Sequence, residues 1–153
     1  MAIIKEIEKS NVIALDTSIF IYYIEKHEKY CLLLDEIFER CNTKLNEFKI
    51  ITSTISLIEV LVKPIKEKQE EIANKYLDIL LSSENVFVIM IDVNIAKKSA
   101  ELRAKYNFLR TPDAIQLATS ICTNAEFFIC NDKKLKDVKE IKTLVLEELL
   151  LCK

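Results

Sequence analysis

The residues best equipped for chemistry are four carboxylates, each set against an apolar stretch. Asp16 ends the run VIALD and is followed by two hydroxyls, Thr17 and Ser18. Glu59 lies inside TISLIEVLVKP, Asp113 inside RTPDAIQLATSI, and Asp132 just beyond EFFICN. A carboxylate beside a core is costly unless it is paired or hydrogen-bonded. Each has an ordinary reading. Asp16 is placed to cap a helix N-terminus, and Glu59 can hold its head out of an apolar helix. Thr111 suits an N-cap, Pro112 the first helical position and Asp113 the first turn, where an acid gains about 0.3–1 kcal/mol against the helix dipole. Asp132 fits a turn. Gathered at one place, four such acids repel one another, and a fold holds them when a hard divalent cation, Mg2+ or Mn2+, neutralises the group. Such a group supports hydrolysis. The ion lowers the pKa of a bound water and balances charge on a phosphate under in-line attack, while a neighbouring acid orients the water or takes its proton. With water as nucleophile, a phosphodiester would be opened directly, with no cyclic phosphate formed on the way.

Other chemistries lack their parts. The single histidine, His27, sits in EKHEKY and reads as a solvated surface residue. That disfavours a Ser–His triad, a His-ligated zinc and a two-histidine ribonuclease. The chain has no glycine, which excludes every Gly-rich phosphate loop. Its five cysteines, Cys31, Cys41, Cys122, Cys130 and Cys152, include no C-x-x-C pair. The N-terminus MAIIKEIEKSN is charged, with no long apolar stretch behind it. Reduced thiols in a cytoplasmic protein are the expectation. No apolar run approaches the ~20 residues of a membrane helix. The net charge is only −2, so nucleic-acid binding has to rest on a local patch or on metal ions.

What must position the acids is an alternation of short β-rich runs with longer helical ones. The chain of 153 residues suits one domain, 1–153. Strands are predicted over 12–15, 48–51, 86–91, 126–130 and 143–146, and helices over 19–26, 30–41, 54–62, 66–81, 95–106 and 112–122. Without glycine, Asn107 and Asn124 are expected to take the left-handed caps after the last two of these helices. Alternating β and α means an α/β fold, a parallel sheet with helices on both faces. Ligands bind such sheets at the carboxyl ends of the strands, near the point where strand order reverses. Asp16 and Asp132 follow strands, Asp113 opens a helix and Glu59 lies a short way into one, so all four fall towards that edge.

With these motifs in place, the sequence resembles a PIN-domain ribonuclease, close to the VapC-like toxins of toxin–antitoxin pairs. The matching stretches are LDTSIFIYYIE, TSTISLIEVLVKP, RTPDAIQLATSI and ICNDKKLKDV, in family order and at family spacing over nearly the whole chain. The resemblance implies a three-layer α/β/α fold with a central parallel sheet and a quartet of acids binding Mg2+ or Mn2+. Matched by motif, the quartet is Asp16, Glu59, Asp113 and Asp132. Asp16 and Asp113 are expected as the core ligands, Glu59 as a ligand or water-orienting group and Asp132 as an outer ligand. Thr17, Ser18 and Asn131 are candidates to hydrogen-bond the acids. Arg103, Lys105, Arg110, Lys133 and Lys134 flank the edge in sequence and are candidates to hold RNA phosphates. The early helices carry Ile19, Tyr22, Tyr23, Leu32, Leu33, Leu34, Ile37 and Phe38, more than one core-facing stripe needs. This excess is either core or a groove, and in the family such a groove receives the antitoxin's tail, whose basic residue reaches the acids. A homodimer is the expected assembly. The chain departs from the family at Cys130, where Thr or Ser is usual, and at Asn107 and Asn124, which replace glycines. Two other readings remain open: a catalytically weak PIN-like module that binds RNA or protein, and a haloacid-dehalogenase-type phosphohydrolase. The latter wants an Asp where Ser18 stands.

Overall fold

The computed structural model describes residues 2–43 and 47–151; Cys152 therefore lies outside the described residues. Strands β1 (Val12–Leu15), β2 (Lys49–Ser53), β3 (Val86–Ile89), β4 (Phe127–Cys130) and β5 (Thr143–Val145) form one sheet in the order β3-β2-β1-β4-β5. Every pairing is parallel. Ile13 of β1 stands opposite Ile50 on one side and Phe127 on the other. The chain steps outward from β1 through β2 to β3, then crosses to the far side of β1 for β4 and β5. Strand order thus reverses between β1 and β4, which opens a crevice at their carboxyl ends.

Helices α1 (Ala2–Lys9), α2 (Thr17–Ile24), α3 (Cys31–Thr43), α4 (Thr54–Lys66), α5 (Glu70–Leu77), α6 (Val93–Lys105), α7 (Thr111–Cys122) and α8 (Leu146–Leu151) cover the sheet. The alternation within β1 divides two cores. Ile13 and Leu15 pack with Phe20 of α2, Leu33 and Leu34 of α3, Val60 of α4 and Tyr76 of α5. Ala14 faces Ile95 and Leu102 of α6 and Ala114, Leu117 and Ala118 of α7. Both strand faces are buried, which is why the strand sequences are continuous apolar runs. Each fully buried large side chain is worth about 1.5–3 kcal/mol of transfer free energy.

Three helix ends share one device. Lys26, Lys68 and Asn124 lie in the left-handed region, at φ 51°, 55° and 55°. Each donates its amide to the carbonyl three residues back: Lys26 to Tyr23 at 3.3 Å, Lys68 to Ile65 at 3.2 Å, Asn124 to Ile121 at 3.1 Å. The following residue donates five back: His27 to Tyr22 at 3.0 Å, Gln69 to Pro64 at 2.8 Å, Ala125 to Ser120 at 3.0 Å. This paired pattern closes a helix C-terminus and usually recruits glycine. Asn124 takes the expected role. Asn107 does not: α6 ends at Lys105 with Tyr106 extended, so no left-handed residue is needed there. Lysine fills the other two positions, where the sequence places neither glycine nor asparagine.

Lys68 also breaks the helix expected over 66–81. α4 runs through Pro64 to Lys66, and α5 begins afresh at Glu70 before widening into a π-type turn over Asp78–Ser82. Pro64 lies in the last turns of α4 and does not end it, although an interior proline lacks an amide donor and crowds the carbonyl four residues back. Helices α1 and α8 were not expected from the sequence. Their apolar residues Ile7, Leu146 and Leu149 join the first core. That core also absorbs most of the apolar excess on α2 and α3: Ile19, Leu33, Leu34, Ile37 and Phe38 are buried, Tyr22 and Tyr23 half-buried, and only Leu32 stays out, 73% exposed. The exposed apolar stripe lies instead on α4, at Ile58, Val62 and Ile65.

Candidate active site

Asp16 stands at the end of β1, beside the crevice. Its amide donates to Ile129 O at 2.9 Å, extending the β1–β4 pairing by one bond. Its carboxylate caps α2: Oδ2 accepts from Ser18 Oγ at 2.7 Å and from Ser18 N at 3.4 Å. Burial pushes the Asp16 carboxyl above its ordinary pKa; the bonds from Ser18 and the Thr17 amide oppose that, and the charge of Glu59 adds to it. Among the described residues no basic side chain forms a salt bridge with Asp16. A helix cap on the surface needs no such desolvation.

Glu59 is exposed on α4, yet near enough to act on Asp16. Asp113 is half-buried in the first turn of α7, where Pro112 favours the helical start. The helix begins at Thr111 itself, so Arg110 rather than Thr111 occupies the cap position, with no side-chain cap bond. Arg110 Nε donates to Asp113 Oδ2 at 3.3 Å. Asp132 is exposed after β4 and caps the short 3-10 turn Lys133–Asp137, accepting from Lys134 N at 2.9 Å. Cys130 lies fully buried among these acids. Burial pushes its thiol up to about 12, and the charges of Asp16, Asp132 and Asp113 push the same way. Its Sγ approaches Asp132 O at 3.4 Å, a weak contact where a hydroxyl would make a stronger one.

The four acids thus act on one another or on a shared neighbour, but they do not touch. Among the described residues, no three His, Cys, Asp or Glu side chains form a ready metal cage. Asp113 is drawn to Arg110, Asp132 is engaged as a cap and Glu59 points to solvent. The donor set is nevertheless all oxygen and suits Mg2+ or Mn2+, which retain several waters and are bound through one or two carboxylates.

The neighbours expected to support the acids divide. Ser18 bonds Asp16 as expected. The Thr17 side chain turns away, to Ser56 Oγ at 3.0 Å. Asn131 donates to the hydroxyls of Tyr22 and Tyr30 at 3.4 and 3.3 Å and accepts from Glu147 N at 3.2 Å; it docks α8 rather than an acid. Arg103 holds the α6–α7 connection through Leu109 O at 3.3 Å and Thr111 Oγ1 at 2.9 Å. Lys105 bonds Glu140 at 2.7 Å. Of the five cations, Arg110 sits on the site, and Lys133 and Lys134 are exposed beside Asp132. His27 is exposed, with its ring packed against Tyr22 and Tyr30 at centroid distances of 4.9 and 4.7 Å. Sequence reasoning missed a buried polar group beneath the acids: Thr52, Ser53, Ser56 and Gln116. The signal was present, as a hydroxyl-rich TSTIS running from the end of β2 into the first turn of α4 and one amide inside the apolar face of α7.

The chain belongs to the PIN-domain family, which it matches over residues 13–141. Its fold is similar to that of VapBC2 from Rickettsia felis bound to a promoter DNA fragment, at 23% identity over 88% of this chain and 98% of that one, with a TM-score of 0.69. A toxin–antitoxin complex from Klebsiella pneumoniae shares 24% identity over 88% and 97% of the two chains, TM-score 0.61. VapBC-1 from nontypeable Haemophilus influenzae shares 18% over 89% and 98%, TM-score 0.65. No curated protein sequence matches the chain. No helix among the described residues is long and apolar enough to cross a membrane.

Proposed function

We propose that this protein is a Mg2+- or Mn2+-dependent endoribonuclease and the toxin of a toxin–antitoxin pair. The observation that carries the reading is Asp16: a desolvated carboxylate at the strand-order reversal, raised further by Glu59, with no basic partner among the described residues. Such a group is stabilised by a cation from outside the chain. When bound, the ion supplies charge balance for the phosphate and acidity for a water. Asp16 and Asp113 would hold it, with Ser18 fixing the Asp16 carboxylate. Glu59, exposed beside Asp16, orients the attacking water and accepts its proton. Asp132 would serve as an outer ligand. Arg110 is 81% exposed apart from its single bond to Asp113, so it is free to swing to an RNA phosphate once that carboxylate turns to the ion. Membership of the PIN family and the toxin–antitoxin complexes among similar folds support a protein antitoxin as partner and nuclease chemistry as the activity. The assembly is read as a homodimer, and the whole chain as one domain.

The test is incubation of the purified protein with RNA in Mn2+, in Mg2+ and in EDTA, followed by analysis of the ends. Cleavage to 5′-phosphate and 3′-hydroxyl ends, stopped by EDTA and by Asp113→Asn, supports the proposal. Cutting that survives EDTA, or cyclic-phosphate ends, overturns the mechanism. RNA binding without cutting replaces it with the catalytically weak binding module.

A further inference from the structure

Beneath the acids lies a closed set of buried polar side chains. Gln116 is 3% exposed, Thr17 4%, Thr52 2%, and Ser53 and Ser56 0%. Gln116 Oε1 accepts from Ser53 N at 3.3 Å and from Ser53 Oγ at 3.1 Å. Gln116 Nε2 donates to Ser56 Oγ at 2.7 Å and to Thr17 Oγ1 at 3.2 Å. Thr52 Oγ1 donates to Leu15 O at 3.0 Å and meets Ser56 Oγ at 2.7 Å.

Counting hydrogens fixes the directions. The Thr52 proton is used on Leu15 O, so Ser56 donates to Thr52, and Thr17 donates to Ser56. Ser53 Oγ gives its proton to Gln116 and accepts from Ile55 N at 3.2 Å as the cap of α4. Flipping the Gln116 amide would set its NH2 against the Ser53 amide, donor against donor, so only one orientation satisfies the set. A fully satisfied network of this kind admits one arrangement of the elements it joins.

Those elements are the ones that carry the acids. Thr17 follows Asp16 directly. Ser56 lies one helical turn before Glu59 on α4, and Gln116 one turn after Asp113 on α7, positions that share a helix face. We propose that Gln116 is a positioning residue: it touches no ion or substrate, but through Thr17 and Ser56 it sets the separation of Asp16, Glu59 and Asp113 and thereby the affinity for a divalent cation. The proposal rests on the metal-site reading above. Because the acids form no contact cage of their own, their spacing has to come from the elements beneath them, and Gln116 is the side chain that spans α2, α4 and α7.

Calorimetric titration with Mn2+ tests this on the full chain. Gln116→Met keeps the length of the side chain and removes all four bonds; its Mn2+ affinity should fall by about tenfold or more, as for groups that orient metal ligands. Thr17→Val, which cuts only the Asp16 branch, should lose part of that affinity, and Thr17→Ser, which keeps the hydroxyl, should retain it. Leu80→Ala, a truncation of a fully buried core side chain outside the polar network, destabilises the fold but should leave the affinity unchanged, which separates positioning from loss of stability. If Gln116→Met does not fold, Thr17→Val and Ser56→Ala decide. The proposal is overturned if Gln116→Met, or in its place both single-branch variants, binds Mn2+ within twofold of wild type. If the wild-type protein binds no Mn2+ at all, the metal-site reading fails and takes the proposal with it.

Discussion

Replacing Asp16 separates its two roles, helix cap and desolvated charge. Asn caps a helix as well as Asp does, whereas Ala costs about 1 kcal/mol. Asp16→Asn keeps an acceptor for Ser18 N and Oγ but removes the buried charge; Asp16→Ala removes both. In EDTA, Asp16→Ala should therefore lie about 1 kcal/mol below Asp16→Asn at every pH, and wild type should move relative to Asn with pH. The Asp16 carboxyl is raised from its ordinary 3.8 by burial, then by Glu59. Between 3.8 and the raised value the folded state holds more protons than the unfolded one, so stability falls as pH rises through that window. Wild type should match or exceed Asn near pH 3 and fall behind it by pH 7. Each unit of raise corresponds to about 1.4 kcal/mol, so the plateau of the difference reads the raise directly. Urea unfolding of the three proteins at five pH values measures it. A wild type that stays level with Asn from pH 3 to 7 would refute the desolvation argument. If Asn fell as far as Ala, the carboxylate charge itself would be making the cap.

Three further outcomes follow from particular residues. Lys68→Gly should remove about 1–2 kcal/mol of left-handed cost against about 0.5–1 kcal/mol of added chain entropy, raising the melting temperature slightly, whereas Lys97→Gly, exposed within α6, should lower stability by about 1 kcal/mol; thermal melts that move the same way for both would contradict the helix-end assignment. Cys130, buried and pushed up to about 12, should resist iodoacetamide at pH 8 until the protein is unfolded, while Cys122, exposed although burial raises its thiol too, is alkylated in the folded protein, as peptide mapping would show. Expression of the wild type should arrest growth of a host cell and expression of Asp113→Asn should not; equal growth would count against the toxin reading.

The sheet was legible because parallel strands are buried on both faces, and runs such as VIAL and FFIC have no competing helical period. Two of the acids mark a strand end, Asp16 after VIAL and Asp132 two residues past FFIC, whereas Glu59 and Asp113 lie within helices and stand out only as charges in apolar stretches. What escaped had a physical reason in each case. Lys26 and Lys68 take positions normally marked by glycine, and this chain has none to mark them. The helix expected over 54–62 runs on through Pro64 to Lys66. Gln116 stands in the sequence only as one amide on the apolar face of α7, because its four bonds go to residues distant in sequence. The apolar excess on α2 and α3 was readable as a count, but only packing could show that the core absorbs it and that the exposed stripe lies on α4.

Whether the acids hold one divalent ion is decided by thermal unfolding with and without Mn2+ for wild type, Asp16→Asn and Asp92→Asn. Asp92 is the control: it too is an acid beyond a strand, but it caps α6 through Ile95 N at 2.8 Å and lies outside the quartet. At a hundred times Kd, Mn2+ should stabilise wild type by roughly 2.7 kcal/mol, a rise on the order of 5–10 °C for a chain of this size. Asp92→Asn should keep that rise and Asp16→Asn should lose most of it. Equal gains in wild type and Asp16→Asn would show that Asp16 is a helix cap and that the quartet is not a metal site.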